Sequence, residues 1–136
     1  MTNEATPITL EGADGINLAV DRRGDPDRPV VVLLHGAGQT RHAWHRTAGR
    51  LTTGGFCTFA VDLRGHGDSD WARDGDYRRH TFAADIQALR GQLGPLAAVV
   101  GASLGGISAL LAHDQQPGGI ADVLVLVDIA PRIEKA

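Results

Sequence analysis

Leu96-Ala-Ala-Val-Val-Gly101-Ala-Ser103-Leu-Gly105-Gly106 decides the fold of this 136-residue chain. Leu96 to Val100 is a short apolar run, stopped upstream by Gly94-Pro95, and reads as a strand buried on both faces. Leu104 to His113 follows without charge and reads as a helix. Between them lies Gly-x-Ser-x-Gly, a tight strand-to-helix turn. Small residues at 101 and 105 let the chain pass closely. The turn forces Ser103 into a strained backbone and projects its hydroxyl at a helix N-terminus.

The same alternation continues outward. Upstream, Thr81 reads as a helix cap, with Asp85 in the first turn and Phe82, Ile86, Leu89 and Leu93 at helical spacing. Phe56 to Val61 and Val30 to Leu34 are two further buried strands, separated by a helix over Arg41 to Leu51. Ile8 to Glu11 and Ile16 to Asp21 alternate around Gly12-Ala-Asp-Gly15 and read as an antiparallel hairpin. Downstream, Val123-Leu-Val-Leu-Val127 is a fourth buried strand. The expectation is an α/β fold: a mostly parallel sheet with an N-terminal antiparallel hairpin and right-handed crossovers. In such sheets the site lies beyond the carboxyl ends of the strands. Three loops meet that description, after Leu34, after Val61 and after Val100.

Composition narrows the function classes. Hydrophobic residues at 43% and charged residues at 21% exclude a largely disordered chain. A net charge of −3 gives no basic footprint for nucleic acid or anionic membrane. One cysteine, Cys57, excludes an intrachain disulfide framework. Met1 to Leu10 has no apolar signal-peptide core, so a cytoplasmic location is expected. The uncharged run from Gly91 to Ala112 is interrupted by Pro95, Gly101, Gly105 and Gly106, which fits a strand and a helix better than a membrane span.

The loop after the first buried strand, His35-Gly36-Ala37-Gly38-Gln39, offers a backbone N–H at Ala37 as a second donor beside that of Leu104. The loop after the second, Asp62-Leu-Arg-Gly-His-Gly-Asp-Ser69, reads as scaffold, fixed by an Asp62–Arg64 ion pair. A nucleotide-binding domain fits less well. Gly101 to Gly106 lacks the middle glycine of G-x-G-x-x-G, Gly36 to Arg41 lacks the last, and no Gly-Lys-Ser/Thr occurs.

His35-Gly36, Asp62-x-Arg64-Gly65-x-Gly67-x-Ser69 and Gly101-x-Ser103-x-Gly105-Gly106 occur in order, followed by Val127-Asp-Ile-Ala-Pro131. Together they resemble the N-terminal half of an α/β-hydrolase, in the branch of esterases, non-haem peroxidases and epoxide-hydrolase-like proteins. The resemblance implies an α/β-hydrolase-like sheet truncated after about the sixth strand, with residues 1–136 forming one partial domain. It implies Ser103 as nucleophile and the N–H groups of Ala37 and Leu104 as the oxyanion hole. Ser103 stands where true epoxide hydrolases and haloalkane dehalogenases carry Asp, so the implied chemistry is acyl transfer on an ester-like small molecule. No cofactor, metal, nucleic acid or membrane partner is implied.

The pattern then breaks. A nucleophilic serine needs a histidine base and an orienting acid, which in this fold follow it in the chain. His113 is the only histidine after Ser103, and it lies roughly 15 Å up the helix that Ser103 starts. It is expected to be a solvated helix-end residue. His66, on the right edge of the sheet, is the only substitute base to consider. His42 and His45 read as a surface pair without a third metal ligand, and Asp128 as a turn residue or a triad acid. Val123 to Val127 is expected to be a bare apolar edge. Two expectations follow: a serine hydrolase completed by a C-terminal chain, or a catalytically dead fragment acting at most as a binding module.

Overall fold

The structure, a computed structural model, describes residues 3–129. Nine elements follow in order: β1 (Thr6–Glu11), β2 (Asn17–Arg23), β3 (Val30–Leu34), α1 (His45–Thr53), β4 (Cys57–Val61), α2 (Arg79–Leu93), β5 (Ala98–Ala102), α3 (Leu104–Gln115) and β6 (Val123–Val127). They build one six-stranded sheet in the order β1-β2-β4-β3-β5-β6. The β1–β2 and β2–β4 pairs are antiparallel. The β3–β4, β3–β5 and β5–β6 pairs are parallel. The expected mostly parallel sheet with its N-terminal hairpin is therefore present. β3 and β5, whose loops were expected to converge, are direct neighbours.

The continuous apolar runs are explained by burial on two faces. Val32 and Leu34 face Phe82, Ile86 and Leu89 of α2 and Ala109 and Ala112 of α3. Val31 and Leu33 face Ala48 of α1, with Trp44 and Leu51 packed beside it. Alternate residues of β3 thus serve opposite layers, which leaves no position for a polar side chain.

Several boundaries differ from the sequence expectation. Arg41–Trp44 forms a 3₁₀ turn, and the α-helix begins only at His45. α2 opens at Arg79 rather than being capped by Thr81, which is buried within the first turn. Asp76 accepts the N–H of Arg78 just ahead of it, so that turn already ends the loop. β5 runs from Ala98 to Ala102, two residues further than expected, straight into Ser103.

The hydrophobic pattern of β6 is half satisfied. Leu124 and Leu126 are partly buried, but Val123, Val125 and Val127 are 53%, 43% and 37% exposed. Their register partners are Ala98, Val100 and Ala102, so they extend the α1-side face of the sheet past the reach of α1. Among the described residues no strand pairs with the outer edge of β6. Ala130 and Pro131, the end of the motif that follows β6, lie outside the described residues.

Candidate active site

Ser103 sits at the junction of β5 and α3 with φ 48° and ψ −112°, a conformation that costs a non-glycine residue of the order of 1–3 kcal/mol. Three backbone hydrogen bonds hold it there. Ser103 N–H donates to Val127 C=O at 3.1 Å, Gly105 N–H to His35 C=O at 3.1 Å, and Ile107 N–H to Ser103 C=O at 2.9 Å. Glycine is required at 105, because a Cβ would meet the carbonyls of Leu34 and His35. α3 can therefore start flush against the end of β3. The Ser103 side chain is exposed on the resulting ledge.

The His35–Gln39 loop lies against it. A Cβ at Gly36 would stand 3.5 Å from the Ser103 Cβ. Most of the amides in this loop are occupied. Gly36 N–H donates to Gln39 Oε1 at 3.0 Å, Gly38 N–H to His66 Nε2 at 3.1 Å, and Gln39 N–H to Gly36 C=O at 3.1 Å. Ala37 N–H has no partner among the described residues, and neither does Leu104 N–H at the first position of α3. Two neighbouring loops thus offer unpaired donors beside an exposed hydroxyl, an arrangement able to receive a developing oxyanion.

The histidines do not complete it. His35 is fully buried; its Nδ1–H donates to Gly36 C=O at 2.7 Å and its Nε2 accepts Leu63 N–H at 3.0 Å. Burial pushes its pKa below the ordinary value, so the ring is held neutral as a clamp between the ends of β3 and β4. His66, the substitute base to consider, has both nitrogens engaged: Nδ1–H donates to Arg64 C=O at 2.9 Å while Nε2 accepts from Gly38. His113 is not a solvated helix end. It is half-buried, and its Nδ1 accepts Ile120 N–H at 3.0 Å, closing the turn after α3. The His45 ring meets Arg23, and His42 lies 4.0 Å from Asp21. No group of three metal-ligating side chains exists among the described residues. Asp128 is exposed at φ 56°, turning the chain after β6.

The expected Asp62–Arg64 pair is not formed. Asp62, fully buried, accepts the N–H and a guanidinium N–H of Arg41 and the N–H of Asp68. Burial opposes the Arg41 charge, but the hydrogen bonds it donates to Asp68, Asp21 and Asp62 outweigh that and raise its pKa. Arg64 turns the other way. Its Nε and Nη2 bind both oxygens of Asp85 at 2.7 and 2.8 Å, which raises its pKa. Asp62 and Arg64 each found a distant partner instead. A signal was present: Asp85 falls on the same stripe of α2 as Phe82, Ile86 and Leu89, where only a paired charge is tolerated. The roles of His35, Arg41 and Gln39 carried no comparable local signal.

A cavity of about 380 Å³ opens nearer the hairpin, lined by Ile16, Arg64, Asp70, Trp71 and Asp74, without Ser103. No helix of the described residues is long and apolar enough to cross a membrane.

The family model for the alpha/beta hydrolase fold matches residues 29–129. An esterase of Mycobacterium tuberculosis is 39% identical over 104 residues, which is 76% of this chain and 34% of that protein. The thioesterase domain from the curacin biosynthetic pathway superposes with a TM-score of 0.84 at 30% identity, covering 98% of this chain and 50% of that one. The epoxide hydrolase VrEH1 from Vigna radiata gives a TM-score of 0.84 at 28% identity, covering 98% and 43%. The chain thus spans about a third of the esterase and half or less of the two solved structures.

Proposed function

Since the chain belongs to the alpha/beta hydrolase fold family, we propose that it carries the nucleophile half of a serine hydrolase site for an ester or related carbonyl substrate. The observation that carries this is Ser103 itself: exposed, strained at the strand–helix junction, and flanked by the unpaired N–H groups of Leu104 and Ala37. A serine rather than a carboxylate at this position favours acyl transfer over epoxide opening.

In this mechanism Ser103 Oγ adds to the carbonyl carbon and its proton passes to a general base. The carbonyl oxygen becomes an oxyanion held by the two N–H groups. Its collapse expels the alcohol, which takes the proton back from the base, leaving acyl-Ser103 for water to hydrolyse. His35 and His66 use both ring nitrogens and so are not free to be that base. In this reading the base and its acid come from a complementing C-terminal segment. The same occupied histidines favour a second reading, a binding remnant without turnover.

Acylation separates the two. The 136-residue chain is treated with p-nitrophenyl acetate, with imidazole added as a surrogate base, and its intact mass is measured. One acetyl group is expected, lost in Ser103→Ala and kept in Ser108→Ala, whose hydroxyl only bonds back to Leu104 C=O at 2.7 Å. A chain that stays unmodified, or is modified equally in Ser103→Ala, excludes the nucleophile assignment.

A further inference from the structure

We infer that His66 is a positioning residue: its Nε2 holds the Gly36–Gln39 loop, which lies against Ser103, in the shape that leaves Ala37 N–H unpaired. The inference rests on the serine hydrolase reading for its functional meaning, though not for its geometry.

Within residues 36–39, three N–H groups are taken, and two of those bonds close inside the loop, through Gln39 Oε1 and Gly36 C=O. The bond from Gly38 N–H to His66 Nε2 is the one that ties this segment to another element. Gly38 adopts φ 77°, and a Cβ placed there would meet nothing within 4 Å, so its side-chain direction faces open space. Without the His66 acceptor its amide could swing toward solvent and carry the adjoining Ala37 peptide with it.

The ring is prepared for that task. A carbonyl can only accept, so the 2.9 Å contact between His66 Nδ1 and Arg64 C=O places the proton on Nδ1 and leaves Nε2 bare. Arg64 is itself immobilised by its bidentate pair with the buried Asp85 and by donation to Asp76 C=O. The His66 ring also lies against His35, with centroids 4.9 Å apart. His35 in turn clamps Gly36 C=O and Leu63 N–H. The loop after β4 was expected to be scaffold, with His66 as the only substitute base to consider. The geometry points to a narrower task, a rigid acceptor aimed at the amide next to the oxyanion donor.

Two substitutions separate acceptor from ring. His66→Phe keeps the ring against His35 and removes the acceptor; His66→Gln can return an acceptor, Oε1, to the same place. Amide hydrogen exchange is followed by NMR on the 136-residue chain. Gly38 N–H is expected to exchange about tenfold faster in His66→Phe and within about threefold of the parent in His66→Gln. Unchanged exchange in His66→Phe overturns the inference, as does equal acceleration in both variants. If His66→Phe fails to fold, the ring ¹⁵N shifts of the parent decide instead. A neutral ring protonated on Nδ1, with Nε2 bare, is expected; a proton on Nε2 overturns it. These readouts do not pass through Ser103. Absence of acylation at Ser103 would sink the function proposed above and leave the Gly38 result standing as a test of His66.

Discussion

Ser103 pays for its position with backbone strain, and that cost is measurable. Glycine adopts φ 48° without the Cβ penalty, although it also adds freedom to the unfolded chain. Ser103→Gly is expected to raise the urea midpoint, by about 1 kcal/mol of stability, while removing any acylation. A midpoint unchanged or lowered would show that the surrounding bonds do not hold strain there. His35 makes a second residue-scale prediction. Its folded pKa lies below the ordinary 6.5, so the native state binds fewer protons than the unfolded chain over the window beneath 6.5. Its contribution is complete above that value and is lost as pH falls through the window toward the folded pKa. The urea midpoint should therefore fall as pH is lowered from about 7 through and below 6.5. A flat profile would mean that the His35 ring takes up protons in place. Ser103 was legible in the sequence because one pentapeptide and its strand-to-helix context specify the local backbone. His35 was not, because its two partners, Gly36 C=O and Leu63 N–H, are fixed only when two strands come side by side.

At the scale of elements, the apolar patterns identified every strand and α-helix of the described chain, and the errors lie at the ends. Those ends are set by tertiary bonds: Arg41 opens a 3₁₀ turn where Asp62 takes its N–H, and β5 is prolonged by its pairing with β6 up to Ala102↔Val127. β6 is the element whose pattern and environment disagree. Its apolar alternation asks for cover on both faces, and three valines of one face remain largely open. An edge of this kind promotes association between copies. The 136-residue chain is expected to self-associate with rising concentration in sedimentation velocity, and Val125→Lys to shift it toward monomer. A parent chain that stays monomeric over the whole range would show that the β6 face is harmless in solution.

Across the whole molecule, Asp85 joins three regions. It accepts Ala13 N–H from the hairpin turn at 2.8 Å, binds Arg64 from the loop after β4, and belongs to the buried face of α2. Replacing it with alanine leaves the Arg64 guanidinium buried without its carboxylate and frees the hairpin. The expected cost is about 3–5 kcal/mol, a large part of the roughly 5–15 kcal/mol that holds a domain folded. Asp85→Ala should thus lower the melting temperature by well over ten degrees, or leave no cooperative transition at all. A loss below about 1 kcal/mol would show the pair to be dispensable. Helical spacing marked Asp85 as a charge in need of a partner but did not identify the partners, since each of its bonds joins residues far apart in the chain. The layered sheet and the meeting of three loops on one edge were visible, because parallel strands oblige it. One bond crosses that edge with a separate consequence. The amide of Ser103 is tied to the carbonyl of Val127, the last residue of the barest strand. Elements with few buried apolar contacts open more readily than the core in native fluctuations. Each time β6 frays, Ser103 loses one of the three bonds that hold it, so the persistence of its strained backbone is coupled to the least protected strand in the sheet.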